Sequence, residues 1–389
     1  MRYFLCICFL LSLGYETYGQ NIRAKVFSQL SIASLNLDAV HGSYQIHDRL
    51  GFISELIEGQ SMSLQINTKG QIHASQNGIF LGLYDTLLVF QSKHSDYLNL
   101  KPSLNGKNKT KPRQYKGDFE ISISNKSLHV VNIIFRETYL EGVLASEAGI
   151  HCEKEYYKVQ AIISRTFLRN NMAKHSLEGF NVCDAVHCQA YYGRYQGESN
   201  NVTSGVKETF GLVLVDSNNF SFPTFFSANC GGQSAETDQV WNLSLPNYIS
   251  QRDTFCIHTR QANWEKYISK AALLSFISEK YFFDISKKSM RELVFNFDQK
   301  HRKTFFIDPA YGIPLRDIRS QFRLRSTFFS CEPVGDKVLL KGRGFGHGIG
   351  LCQEGAMNMV KTGYSFDEIL RFYFKGAVLT SNLSTISHW

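Results

Sequence analysis

Three stretches of this 389-residue sequence carry residue types whose spacing could do chemistry. The first holds a carboxylate. If residues 139–147 (YLEGVLASE) are helical, successive residues turn by about 100°. Leu140, Val143, Leu144 and Glu147 then share one face, while Glu141 falls roughly 120° away, toward water. An ionised carboxylate in an apolar stripe is costly to desolvate unless it is paired, which favours the protonated acid. That is the state a general acid needs near neutral pH. The competing reading puts Glu147 at the edge of the stripe, or pairs it with an arginine such as Arg165.

The second stretch is Cys183-x3-His187-Cys188, with His175 eight residues before Cys183. Thiolate and imidazole donors together suit Zn²⁺. The spacing is not a standard finger pattern, so a Cys183–Cys188 disulfide and free thiols compete with the metal. Spacing does not choose between His175 and His187 as third ligand. A thiol nucleophile served by His187 is a weaker reading, because adjacent residues of a strand point to opposite sides.

The third stretch is GRGFGHGIG, glycine at every second position from Gly342 to Gly350. The dinucleotide fingerprint needs G-x-G-x-x-G after a strand and a downstream acid, so that reading fails. Period-two glycine suggests an extended segment approached closely by another backbone or a ligand. If it is extended, Arg343, Phe345, His347 and Ile349 point to one side. A polymer groove fits this better than a phosphate cradle, and a tightly packed structural turn is the alternative.

Around these stretches the sequence sets out its elements. Residues 21 to about 130 read as β-rich: IRAKVFS, SMSLQINT, IFLGLYDTLLVFQS, FEISISN and SLHVVNIIF are short apolar or alternating runs between Gly, Asn, Lys and Ser clusters. Lys101 to Lys116 is basic, polar and proline-bearing, and is expected as an exposed loop. A long helix is expected from Glu153 to Lys174, with Tyr156, Val159, Ile162, Ile163 and Phe167 as its apolar stripe. GLVLV (211–215) and PTFFS (223–227) read as buried strands. Residues 264–281 read as helix, and 293–307 and 322–329 as strand-like. Ser365 and Glu368 form a capping box, with Tyr364 and Ile369 as a staple and Gly376 as the stop.

Composition bounds the class. Hydrophobic content of 43% and aromatic content of 13% argue against disorder. Residues 1–20 read as a signal peptide: Arg2 gives a positive end, and Phe4 to Leu13 is too short an apolar run to span a membrane. The mature chain, with no transmembrane segment, is then expected outside the cytoplasm, in the periplasm or cell envelope. A net charge of +8 favours anionic surfaces such as wall polymers, membranes or nucleic acid, and export makes nucleic acid the least fitting. Seven cysteines follow the signal: Cys152, Cys183, Cys188, Cys230, Cys256, Cys331 and Cys352. An odd number cannot all pair within one chain, so some are free and buried or bind metal.

Several separated stretches resemble one family. Tyr139-Leu140-x-Gly142-Val143-x-Ala145-Ser146-Glu147, Lys158-Val159-Gln160-Ala161 and Ser164-Arg165-Thr166 are similar to the core of the stage II sporulation protein D (SpoIID) / LytB amidase-enhancer family. CDAVHCQAYYG (183–193), Ala228-Asn229-Cys230-Gly231-Gly232, Val240-Trp241, FRLRSTF (322–328) and the run from Gly342 to Gly376 continue the resemblance in the family's order. The chain departs from the pattern at Ala228-Asn229-Cys230, at Leu351-Cys352 and at Ala148-Gly149 after the glutamate.

The resemblance implies an α+β domain over residues 131–380, preceded by the β-rich region 21–130. It implies a lytic transglycosylase acting on peptidoglycan glycan strands, with Glu147 as catalytic acid/base. By the same resemblance Arg165, Gln189, Tyr191, Arg343, His347 and Gln353 would bind substrate, and the cluster of His175, Cys183, His187 and Cys188 would hold a structural zinc. One carboxylate suffices there, because the muramyl 6-hydroxyl itself attacks the anomeric carbon, unlike the paired-carboxylate glycosidases. The alternative within the family is a non-catalytic glycan-binding module that enhances a cell-wall amidase.

Overall fold

Alternating apolar and polar residues build the N-terminal half as sheet. In the computed structural model, which describes residues 21–104, 110–241, 243–245 and 247–381, the first twelve elements are strands. They are β1 (Asn21–Val26), β2 (Ser34–His41), β3 (Ser43–His47), β4 (Phe52–Ile57), β5 (Ser61–Ile66) and β6 (Ile72–Gln76). There follow β7 (Ile79–Tyr84), β8 (Thr86–Gln91), β9 (Tyr97–Ser103), β10 (Arg113–Tyr115), β11 (Asp118–Ser124) and β12 (Ser127–Phe135). The expected signal segment 1–20 lies outside the described residues.

The described residues divide into two compact units, the first within residues 21–139 and 173–194, the second within 140–172 and 195–381. In the first unit a seven-stranded sheet runs β13-β1-β12-β11-β8-β3-β4, where β13 is Val182–Cys183, and a six-stranded sheet runs β10-β9-β2-β5-β6-β7. The period-two pattern appears as alternate burial: Leu35 and Leu37 of β2, Leu64 of β5 and Leu98 and Leu100 of β9 are sealed from solvent. The Cys/His stretch, expected with the C-terminal domain, packs with this β unit. The reason is local: β13 adds to the edge of β1 in parallel, Ala24 facing Val182 and Lys25 facing Cys183.

The second unit is mixed. Its helices are α1 (Arg136–Ala148, which enters it at Leu140), α2 (Lys154–Asn171), α3 (Asn201–Glu208), α4 (Lys270–Tyr281), α5 (Lys288–Phe295), α6 (Leu315–Gln321), α7 (Gln353–Lys361) and α8 (Phe366–Tyr373). Its strands are β14 (Leu212–Val215), β15 (Phe226–Ser227), β16 (Asn263–Ser269), β17 (Phe329–Val334), β18 (Lys337–Arg343), β19 (Leu351–Cys352) and β20 (Val378–Ser381). The α+β class is therefore as the sequence implies. Helix α2 is central: eleven of its residues, polar ones among them, are buried, so burial is not confined to one apolar stripe but covers nearly its whole circumference. It packs against α3, β14, α7 and α8. A separate core joins Trp264 and Ile268 of β16 to Leu273, Ile277, Phe306, Ile318, Val338 and Leu340.

Several elements differ from expectation. Residues 264–281 split into strand β16 and helix α4, because Ser269 caps a new helix by accepting the Ala272 N–H. Leu293–Phe295 end a helix rather than start a strand, and 322–328 stay irregular before β17. Part of Lys101–Lys116 is strand, in β9 and β10. The Ser365/Glu368 capping box is present as expected.

Candidate functional site

Glu147 lies in the last turn of α1, half-buried, on the helix whose Leu140, Val143 and Leu144 are sealed from solvent. Glu141, expected toward water, is half-buried too. The turn after α1 is pinned by Tyr157, whose hydroxyl donates to the Gly149 carbonyl at 2.7 Å and accepts the Cys152 N–H at 3.2 Å. This fixes where α1 ends and so where Glu147 sits. Gly149, at φ 78°, makes the reversal in a region other residues enter at a cost.

Beside Glu147 runs a buried polar chain that sequence reading missed. Tyr156, Gln160 and Ser164 recur every fourth residue of α2, one above another, and all are fully buried. The Tyr156 hydroxyl donates to Gln160 Oε1 at 3.0 Å, and Gln160 Nε2 donates to Ser164 Oγ at 3.3 Å. Gln353, the first residue of α7, donates its Nε2 to Gln160 Oε1 at 3.5 Å. Burial pushes the Tyr156 phenol well above its ordinary range, and the Cys152 and Glu147 charges add to this. That coupling places the Glu147 carboxyl in the electrostatic neighbourhood of the chain. The available signal was the i, i+4 spacing of Tyr156, Gln160 and Ser164 among the apolar residues of α2.

The other expected groove residues differ in setting. Arg165 is 1% exposed and donates to the carbonyls of Leu212 (3.0 Å) and Val206 (3.4 Å). Arg343 spends two of its donors on the Gln299 and Lys300 carbonyls, and its guanidinium stacks 3.7 Å above Phe328. His347 accepts the Ile349 N–H on Nδ1 at 3.0 Å and packs 5.3 Å from the Trp241 ring. Burial, with Arg319 and Arg302 nearby, lowers its pKa to about 4, against the pull of a bond to the Phe226 backbone. Gln189 and Tyr191 belong to the first unit and are buried, Tyr191 donating to Asn132 Oδ1 at 2.9 Å.

The glycine stretch is not an extended ribbon beyond Arg343. Gly344, Gly346, Gly348 and Gly350 all hold positive φ, from 69° to 109°. The side expected to be bare is filled by the protein itself. A Cβ at Gly344 would lie 2.6 Å from the Asn229 carbonyl oxygen, and one at Gly350 2.2 Å from that of Phe225. Ile349 is fully buried and Phe345 exposed, so the alternate side chains do not line one wall. Close backbone approach, one of the two readings of the pattern, is what the glycines serve.

The Cys/His residues come together in the first unit. One donor atom from each of His175, Cys183, His187 and Cys188 lies within 4.8 Å of the others. Cys188 Sγ is 3.4 Å from His175 Nε2, and His187 Nδ1 is 3.8 Å from both sulfurs. Donors of a tetrahedral zinc stand roughly 3.5–3.8 Å apart, and both histidines lie at distances that suit a shared ion. Glu178 Oε1, 2.6 Å from His175 Nδ1, leaves Nε2 turned to the cluster, as carboxylates do behind metal-bound histidines. Both cysteines are free thiols. Asp184 anchors the loop by accepting the Phe27 and Ser28 N–H groups and an Arg113 guanidinium bond at 2.7 Å.

Residues 124–215 match the family described as Stage II sporulation protein. That span contains Glu147, the polar chain of α2 and all four zinc-suited residues. The chain is 26% identical over 258 residues to Stage II sporulation protein D of Bacillus subtilis (strain 168), covering 63% of this chain and 74% of that protein. It is 25% identical over 368 residues to an uncharacterized protein of Brachyspira hyodysenteriae (strain ATCC 49526 / WA1), covering 93% and 94%. An amidase enhancer of Bacillus subtilis (strain 168) is 26% identical over 295 residues, 62% of this chain and 40% of that protein. The resemblance to the SpoIID/LytB family read from the sequence holds.

Proposed function

We propose that this protein acts on the cell wall, outside the cytoplasm, as a lytic transglycosylase of peptidoglycan glycan strands, with Glu147 as its acid/base. Similarity to Stage II sporulation protein D and to an amidase enhancer supports the cell-wall role. The observation that carries the chemistry is Glu147 itself, held half-buried at the end of an apolar helix face beside a sealed polar chain. Glu147 gives its proton to the glycosidic oxygen as the bond from that oxygen to the muramyl anomeric carbon breaks. The 6-hydroxyl oxygen of the same sugar bonds to that carbon, and its proton passes to the Glu147 carboxylate. Atoms balance without water, and a 1,6-anhydro-muramyl end results.

Arg343 and His347 serve as the sugar-facing pair, while Gln353, buried and tied to Gln160, fixes the start of α7. Arg165, Gln189 and Tyr191 hold positions from inside the fold, as their burial supports. His175, Cys183, His187 and Cys188 would hold a structural Zn²⁺, which fastens the loop after α2; the glycan chemistry needs no Lewis acid.

Mass spectrometry of digested glycan strands is the test. Anhydro ends from the wild-type chain and none from Glu147→Gln are expected. Ordinary reducing ends, or full activity in Glu147→Gln, would sink the reading. A second reading, a glycan-binding enhancer of a cell-wall amidase, is favoured by the similarity to the amidase enhancer. It predicts glycan pull-down that survives Glu147→Gln and no sugar released from any substrate.

A further inference from the structure

The second unit holds four side chains that the proposed glycan chemistry does not use. Cys230, Asp253, Cys256 and Cys352 are each 1% exposed or less, and one donor atom from each lies within 4.8 Å of the others. Cys230 Sγ is 3.5 Å from Cys256 Sγ and 3.3 Å from Asp253 Oδ2. With Zn–S near 2.3 Å and Zn–O near 2.1 Å, tetrahedral neighbours stand about 3.6–3.8 Å apart. We infer that these residues form a second, fully buried metal site, three thiolates and one carboxylate around a single divalent cation, best suited to Zn²⁺.

The surroundings are built for it. A carboxylate sealed from water is costly unless a cation or several donors compensate it. Asp253 Oδ2 accepts the Tyr373 hydroxyl at 2.9 Å and Oδ1 the Phe255 N–H at 2.9 Å, which fixes the group's orientation. Gly355 of α7 makes room for this pair, since a Cβ there would lie 2.3 Å from the Tyr373 hydroxyl and 2.6 Å from Asp253 Oδ2. The Cys230 N–H donates to Cys352 Sγ at 3.2 Å, the kind of second layer that steadies a thiolate ligand.

Charge and size narrow the occupant. Three thiolates and a carboxylate around a dication leave a net charge of −2 by simple addition. Arg302, 7% exposed, lies alongside and donates Nη2 to the Cys230 carbonyl at 2.6 Å and Nε to the Gln233 carbonyl at 2.7 Å. It offsets one of those charges. Donor atoms this close enclose one ion rather than a polynuclear cluster. All four positions come from the protein, the mark of a structural rather than a catalytic zinc. The ion would tie together the segments at 230, at 253–256 and at Cys352, which immediately precedes Gln353. Cys230 and Cys352 are also two of the positions where the chain departs from the pattern it resembles.

The test uses the full chain, purified under reducing conditions and loaded with Zn²⁺ alone, with peptide-level alkylation read by mass spectrometry. Cys230, Cys256 and Cys352 should resist labelling until a chelator is added and then label together. Cys331, buried in a different core, is the internal control and should not respond. Three cysteines that stay unlabelled after chelation are merely buried, and the inference falls. It falls equally if Cys331 labels with them, or if Cys230 and Cys256 are disulfide-bonded in the unreduced protein. In a Cys183→Ser/Cys188→Ser chain about one equivalent of zinc should remain, and Co²⁺ in its place should give a thiolate-to-cobalt charge-transfer band. A metal-free double variant would overturn the site.

Discussion

The Tyr156 hydroxyl donates to Gln160 Oε1 at 3.0 Å one helical turn away, both residues fully buried, and Gln353 reaches the same oxygen from α7. One amide thus joins α2 to α7. Replacing Gln160 with Leu removes the partner of the Tyr156 hydroxyl and of the Gln353 amide at once. Buried donors stripped of a partner cost about 1–3 kcal/mol each, whereas Tyr156→Phe removes a donor and its bond together and should cost about 1 kcal/mol. Urea unfolding of the two variants should rank them in that order.

The glycine stretch can be tested by contrast. Gly350→Ala meets both a φ of 69° and a carbonyl oxygen 2.2 Å from its new Cβ. Gly363→Ala, at φ 96°, meets open space. The first should lose roughly 3 kcal/mol or more, the second about 1–2 kcal/mol from conformation alone. Equal losses in thermal melts would show that close backbone approach is not what the stretch requires.

His347 supplies a pH signature. Its folded pKa is lowered from 6.5 to about 4, chiefly by burial. The unfolded chain therefore binds a proton that the folded chain refuses between those values. The sign follows: this contribution to stability is intact above pH 6.5 and is lost as pH falls through about 4, an effect on the order of 2–3 kcal/mol. Denaturant midpoints measured from pH 7 down to 4 should fall less steeply in His347→Gln than in the wild type.

Behind the surface Cys/His cluster, Glu178 holds His175 Nδ1. If zinc sits there, Glu178→Ala should weaken its affinity about 10–100-fold while leaving Cys183 and Cys188 in place. Competition with a chromophoric chelator reads this directly, and unchanged affinity would remove Glu178 from the site.

At α8, Ser365 Oγ accepts the Glu368 N–H, and the Glu368 carboxylate accepts the Ser365 N–H at 2.8 Å. Ser365→Ala should cost about 1 kcal/mol in thermal unfolding, because the Glu368 N–H loses its acceptor while the backbone N–H of residue 365 keeps the Glu368 carboxylate.

That capping box was legible in the sequence because its four residues are adjacent, and so were the strand runs and the class of α1 and α2. Local physics suffices for these: period two, period 3.6 and a cap are properties of short segments. The position of the Glu147 carboxylate was legible for the same reason, since one helical face shows it beside Leu140, Val143 and Leu144. The sequence also put His175, Cys183, His187 and Cys188 on one short loop, although only the folded loop turns both imidazoles toward the sulfurs.

What tertiary structure decided is whatever depends on distant segments meeting. Cys230, Cys256 and Cys352 are separated by tens of residues, and no spacing rule links them until β15 and β19 pair and bring them together with Asp253. The bare side of the glycine stretch could face a ligand or the chain's own backbone, and only the position of residues 225–229 chooses the backbone. Local sequence fixes what a segment can become; which groups end up sealed against one another is a property of the packed whole.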